Sequence, residues 1–116
     1  MSNIARHQAD ARLSRAVVHN GVAYLAGTTA ENRGASMKGQ TEEVLGKIDG
    51  ILKAAGTSKS RLLSAVVYVS DMRLKPQMDA AWGAWIDTKN LPARATVETR
   101  LGTADTLVEI MVIAAV

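Results

Sequence analysis

Two residues near the end of this chain, Arg94 and Glu109, have the types and placement that could do chemistry. A guanidinium is charged at every working pH and can grip a carboxylate through two parallel hydrogen bonds. A carboxylate nearby can orient water or take a proton from it. Arg94 lies in Ala93-Arg94-Ala95-Thr96-Val97-Glu98-Thr99, where strand alternation sends Arg94, Thr96 and Glu98 to one face and Ala93, Ala95 and Val97 to the other. Glu109 interrupts the run Leu107-Val108-Glu109-Ile110-Met111-Val112-Ile113-Ala114, which is otherwise apolar on both faces. A carboxylate on such a strand needs a partner or a task, because burying it alone is costly, and Arg94 is expected to sit near it. Two readings follow. The pair either fixes strand register as a buried ion pair, or faces a cleft that receives a small acid. A cleft between copies of the chain would explain the arginine and the doubly apolar strand together.

Other chemistry-bearing patterns carry less. Gly34-Ala35-Ser36-Met37-Lys38-Gly39-Gln40-Thr41 has the spacing of a phosphate-binding loop but puts Gln40 where the lysine should stand, and no apolar strand leads into it. His7 and His19 are too few and too far apart for a metal site. Ser14, Thr28, Thr29 and Thr96 have no elbow motif and no neighbouring base, which leaves them hydrogen-bonding roles.

The elements that must position Arg94 and Glu109 read as an α+β layout in a single domain spanning residues 1–116. Residues 2–15 are polar and are expected to lead into the first strand with little structure of their own. Ala16–His19 and Val22–Gly27 flank Asn20-Gly21, the commonest two-residue hairpin turn, since both positions tolerate positive φ. From Gln40 to Ala55 the apolar residues Val44, Leu45, Ile48, Ile51, Leu52 and Ala55 make one face of a helix, ended by Gly56. Gly46 and Gly50 within it mark either a close approach or an exposed face. Arg61–Ser70 reads as a third strand. Pro76 suits the first turn of a second helix with a buried stripe of Met78, Ala81, Trp82, Trp85 and Ile86. The expected order is β-β-α-β-α-β-β, with both helices on one face of a single sheet. Two helices cover one face only, so the other face is expected to be buried in a closed homo-oligomer.

Composition narrows the class. An apolar fraction of 47% and a net charge of +3, from 14 basic and 11 acidic residues, fit an ordinary globular protein without a basic patch for nucleic acid. No run approaches the roughly 20 apolar residues of a membrane span. The absence of cysteine suits a reducing, cytoplasmic location. Arg6, Asp10, Arg12 and Arg15 give the first fifteen residues charges of both signs, unlike a secretory signal, and Asp10 counts against a transit peptide.

Pro92-Ala93-Arg94-Ala95-Thr96-Val97-Glu98 followed by Val108-Glu109-Ile110 resembles the Rid (YjgF-like) family of reactive-intermediate imine deaminases. The resemblance runs through the Asn20-Gly21 hairpin ending in Ala26-Gly27, through Ala54-Ala55-Gly56 and through Val66-Val67-Tyr68-Val69-Ser70-Asp71. It implies a chorismate-mutase-like fold, a homotrimer with clefts between subunits, Arg94 on the carboxylate of a 2-imino acid and Glu109 on water. It implies no cofactor and no metal. By position, Gly27, Thr28, Leu13, Thr96 and Asp79 would complete the substrate site. Four of these depart from the deaminase pattern: Ala26-Gly27-Thr28 stands for Ser-Gly-Gln, Leu13 for a tyrosine, Asp79 for an asparagine and Thr96 for a cysteine. They mark a divergent short subgroup.

Three functions are therefore set against one another. The first is hydrolysis of 2-imino acids or their enamines to 2-oxo acids and ammonia, in a mainly apolar cleft. The second is non-catalytic binding of small carboxylates by a trimeric regulator or chaperone. The third is RNA cleavage, against which the weak charge and only four aromatic residues argue.

Overall fold

The computed structural model describes residues 3–116. Its strands are β1 (Ala5–His7), β2 (Ala16–His19), β3 (Val22–Leu25), β4 (Leu62–Val69), β5 (Ala93–Glu98) and β6 (Val108–Ala115), with helices α1 (Met37–Ala54) and α2 (Lys75–Trp85). They form one mixed sheet in the order β1-β2-β3-β6-β4-β5. Every pairing is antiparallel except β4 with β5, which α2 connects as a crossover. The last strand in sequence thus lies inside the sheet, between β3 and β4, and β5 forms an edge.

One face is the core. Ala16, Ala23, Leu25, Ala65, Val67, Val69, Val108, Ile110, Val112 and Ala114 line it, and all are buried. Val44, Leu45, Ile48 and Leu52 of α1, with Met78 and Trp82 of α2, pack on them. Among the described residues, no helix covers the opposite face. Tyr24, Val97 and Met111 stand there 48%, 42% and 37% exposed, beside half-buried Val66, Tyr68 and Ile113.

The turns follow local chemistry. Asn20 and Gly21 take φ of 51° and 76°, the doubly positive pair the hairpin requires. Helix α1 starts three residues before Gln40, because the Ser36 side chain caps it by accepting from the Gly39 N–H at 3.2 Å. Gly56, at φ 84°, follows its end. Gly46 and Gly50 both face open space, so the exposed-face reading of these glycines holds.

Two differences matter. Residues 5–7, expected to lack structure, add a strand antiparallel to β2, with Arg6 opposite Val17. Three residues are too few to show alternation in sequence. In the stretch that imitates a phosphate loop, Gln40 is completely buried. Its amide donates to the carbonyls of Arg33, Ala35 and Asp105, and its oxygen accepts from the Leu107 N–H. Gln40 thereby staples the start of α1 to the loop that feeds β6.

Candidate functional site

The candidate residues gather in two groups. The first forms around Glu109. Past β3, the chain returns to β6 through a bridge in which Thr28 and Ile110 exchange both backbone hydrogen bonds, at 3.0 and 3.1 Å. This lays Gly27 beneath the Glu109 side chain so closely that a Cβ on residue 27 would collide with the carboxylate. A side chain at residue 27 would push that carboxylate aside, and it is this contact, not φ, that favours glycine here. Thr28 is buried, its hydroxyl donating to the Ala26 carbonyl at 3.3 Å.

Glu109 also borders a cavity of about 600 Å³ whose walls include Arg12, Thr29, Arg33, Thr103 and Thr106. The 29–32 wall is held by α1. Lys47 donates to the Thr29 carbonyl at 2.7 Å, and the Glu43 carboxylate accepts from the N–H groups of Glu31 and Asn32. The wall across from it is held through Gln40. Within one copy this lining is mostly polar. Leu13, 43% exposed, belongs to the turn between β1 and β2 that carries Arg12.

The second group forms around Arg94. Its Nη2 donates to Asp79 Oδ1 at 2.8 Å, its guanidinium lies 5.2 Å from the Trp82 ring centroid, and Nη1 points at Met78 Sδ at 3.9 Å. Lys75, one turn before Asp79 on α2, donates to Asp79 Oδ2 at 2.6 Å. Burial alone would raise the Asp79 pKa, but hydrogen bonds from Lys75 and Arg94, with their charges, more than offset it and leave the pKa below the ordinary aspartate value. The triad carries two cations and one anion. Thr96 lies on the same sheet face as Arg94, opposite Val67.

The expected closeness of Arg94 and Glu109 within one chain does not occur. Arg94 pairs with Ala65, which pairs with Val112, in a row facing the helices. Glu109 pairs with Tyr68, which pairs with Val97, in a row facing the open side. Directly paired residues share a face, so the two charges point to opposite sides of the sheet. Arg94 takes Asp79 as its partner instead. The ion-pair reading thus named the right arginine and the wrong acid.

Arg12 was not expected to contribute to the site, and neither was Lys75. Lys75 had a signal in the i,i+4 spacing to Asp79. Arg12 had none, since a cavity wall built by three separate loops leaves no periodic trace. Among the described residues, no group of three or more His, Asp or Glu side chains could hold a metal, and no helix is long and apolar enough to cross a membrane.

The family model described as Endoribonuclease L-PSP matches residues 3–116. A RutC family protein from Haemophilus influenzae is 41% identical over 112 residues, covering 96% of this chain and 97% of its own length. The crystal structure of a YjgF-family protein from Neisseria meningitidis, 38% identical, superposes with a TM-score of 0.94 over 97% of this chain and 94% of the other. A Rid-family protein of unknown function from Yersinia pestis, 28% identical, does so at 0.87 over the full length of both. With the family model, the relatives and the superposed folds in agreement, the chain belongs to the YjgF/RutC/Rid family.

Proposed function

We propose that this protein is a deaminase of reactive 2-imino acids and their enamine tautomers, acting as a homotrimer in the cytoplasm. Each site would join Arg94, Asp79 and Thr96 of one copy to Gly27, Thr28 and Glu109 of the next, with Leu13 at its margin. The observation that carries this reading is the opposition of the two groups across the sheet. A carboxylate poised over glycine at a polar cavity and a guanidinium at an edge strand become one site only when a second chain supplies the missing half. The exposed Tyr24, Val97 and Met111 on the uncovered face favour such an assembly, because apolar side chains in that number seek a cover.

Arg94 has donors left after its bond to Asp79, and these would receive the substrate carboxylate. Glu109 would hold a water against the imine carbon and take its proton as the C–O bond forms. Collapse of the resulting carbinolamine returns the proton to nitrogen, releasing ammonia and the 2-oxo acid. Imines hydrolyse unaided, so orientation and general-base help suffice, and the step calls on no redox cofactor.

The experiment is to generate 2-iminopropanoate or 2-iminobutanoate with an amino-acid oxidase and follow its decay. Accelerated decay at micromolar protein supports the reading, and a folded trimer that leaves the rate unchanged overturns it. Asp79 supports a second reading, a non-catalytic carboxylate binder, because it already occupies part of the guanidinium. That reading expects pyruvate to raise the melting temperature without any imine turnover. The ribonuclease named in the family description would need RNA binding that survives physiological salt.

A further inference from the structure

Arg12 stands apart from the other cations around the Glu109 cavity. Lys47 is tied to Glu31 at 3.2 Å, and Arg33 lies 3.9 Å from Asp105. The nearest acid in sequence to Arg12, Asp10, is committed elsewhere: one oxygen accepts from the backbone N–H groups of Arg12 and Leu13 at 2.8 and 3.0 Å, and the other meets Arg15 at 3.5 Å. That turn fixes the backbone at Arg12, while the guanidinium has no carboxylate partner among the described residues. It forms a wall of the same cavity as Glu109, with the hydroxyl-bearing Thr29, Thr103 and Thr106. The lining holds two carboxylates, Glu31 and Glu109, and two guanidiniums, Arg12 and Arg33; with Glu31 paired to Lys47 and Arg33 to Asp105, Arg12 is the fork left to take an anionic group.

We infer that Arg12 is a specificity-determining residue for a second acid group, so that the preferred substrates are 2-imino dicarboxylic acids. This rests on the imine-hydrolysis reading above and adds the substrate class to it. The 1-carboxylate would sit on Arg94 of one copy, the imine carbon at Glu109 of the next, and the distal carboxylate on Arg12 beside that Glu109. The reaction is unchanged: water adds across the C=N bond, the C–N bond then breaks, and ammonia leaves with a 2-oxo dicarboxylic acid. A cavity of about 600 Å³ has room for the additional group.

The test compares two imines made in situ by amino-acid oxidases, 2-iminosuccinate from aspartate and 2-iminopropanoate from alanine. The expected result is kcat/KM at least about tenfold higher for the dicarboxylic imine. In Arg12→Gln that preference should collapse to about one, chiefly through KM, and Arg12→Lys should recover part of it. Thermal shift supplies a readout without turnover: oxaloacetate should stabilise the wild type more than pyruvate does, and Arg12→Gln should erase the difference. Equal or reversed preference in the wild type, or a preference untouched by Arg12→Gln, overturns this inference and leaves imine hydrolysis standing. Should neither imine be hydrolysed and neither oxo acid bind, the underlying reading falls and takes this one with it.

Discussion

The two faces of the sheet are built from the same strands yet are finished differently. On the covered face, the side chains of β3, β4 and β6 meet α1 and α2 and are buried within one chain. On the other, Tyr24, Tyr68, Val97, Met111 and Ile113 are largely apolar and no helix among the described residues covers them. Each face also holds one charge of the candidate site, Arg94 on the covered side at the edge and Glu109 on the open side near the end of the sheet. On the proposed reading, the contrast teaches that a single copy completes a core but only half of a reaction centre. Assembly would complete both.

The largest expected effect comes from removing the acid on the open side. Glu109→Gln should lower kcat for imine hydrolysis by about 100-fold or more with little change in melting temperature, read by parallel rate and melting measurements. Breaking the open face itself should act on assembly first. Met111→Glu puts a charge amid the uncovered apolar side chains, and light scattering should show the proposed trimer falling to monomer as activity disappears. Gly27→Ala tests the close approach of the segment after β3 to the acid on β6. The new methyl must displace the Glu109 carboxylate, the far end of a flexible side chain, so turnover should fall while denaturant melts shift little.

Smaller effects probe the covered side. The Asp79 pKa lies below its ordinary 3.8, so its contribution to stability is present above that value and is lost as pH falls through the lower folded one. The melting-temperature advantage of wild type over Asp79→Asn should therefore hold near pH 6 and shrink toward zero in strong acid. Smallest of all, Gly46→Ala should raise stability by up to about 1 kcal/mol, since nothing stands where the methyl would go.

Much of this architecture was legible in sequence where local chemistry decides. Asn20-Gly21 announces its hairpin, the three-four spacing from Val44 to Leu52 announces α1, and Pro76 marks the start of α2. Arg94 and Glu109 could be singled out because charge is rare on such strands. What alternation cannot give is the face on which each alternating set lands. In β5 the small apolar set Ala93, Ala95 and Val97 looks like the core side, yet pairing with β4 turns it outward and turns Arg94 toward α2. That choice is made by register with a strand nearly thirty residues away. The same holds for Arg12, whose place at the Glu109 cavity depends on three loops meeting, and for β1, whose three residues are ordered by β2 instead of by a pattern of their own.

The most direct measurement mixes two inactive variants. Arg94→Ala and Glu109→Gln are unfolded together, refolded at equal concentration so that trimers assemble at random, and assayed for 2-iminopropanoate hydrolysis. If each site joins the arginine of one copy to the glutamate of the next, about a quarter of the sites regain both residues and about a quarter of wild-type activity returns. If both residues serve from the same chain, no mixed trimer contains an intact pair. Activity no greater than that of the two variants measured separately would contradict the account.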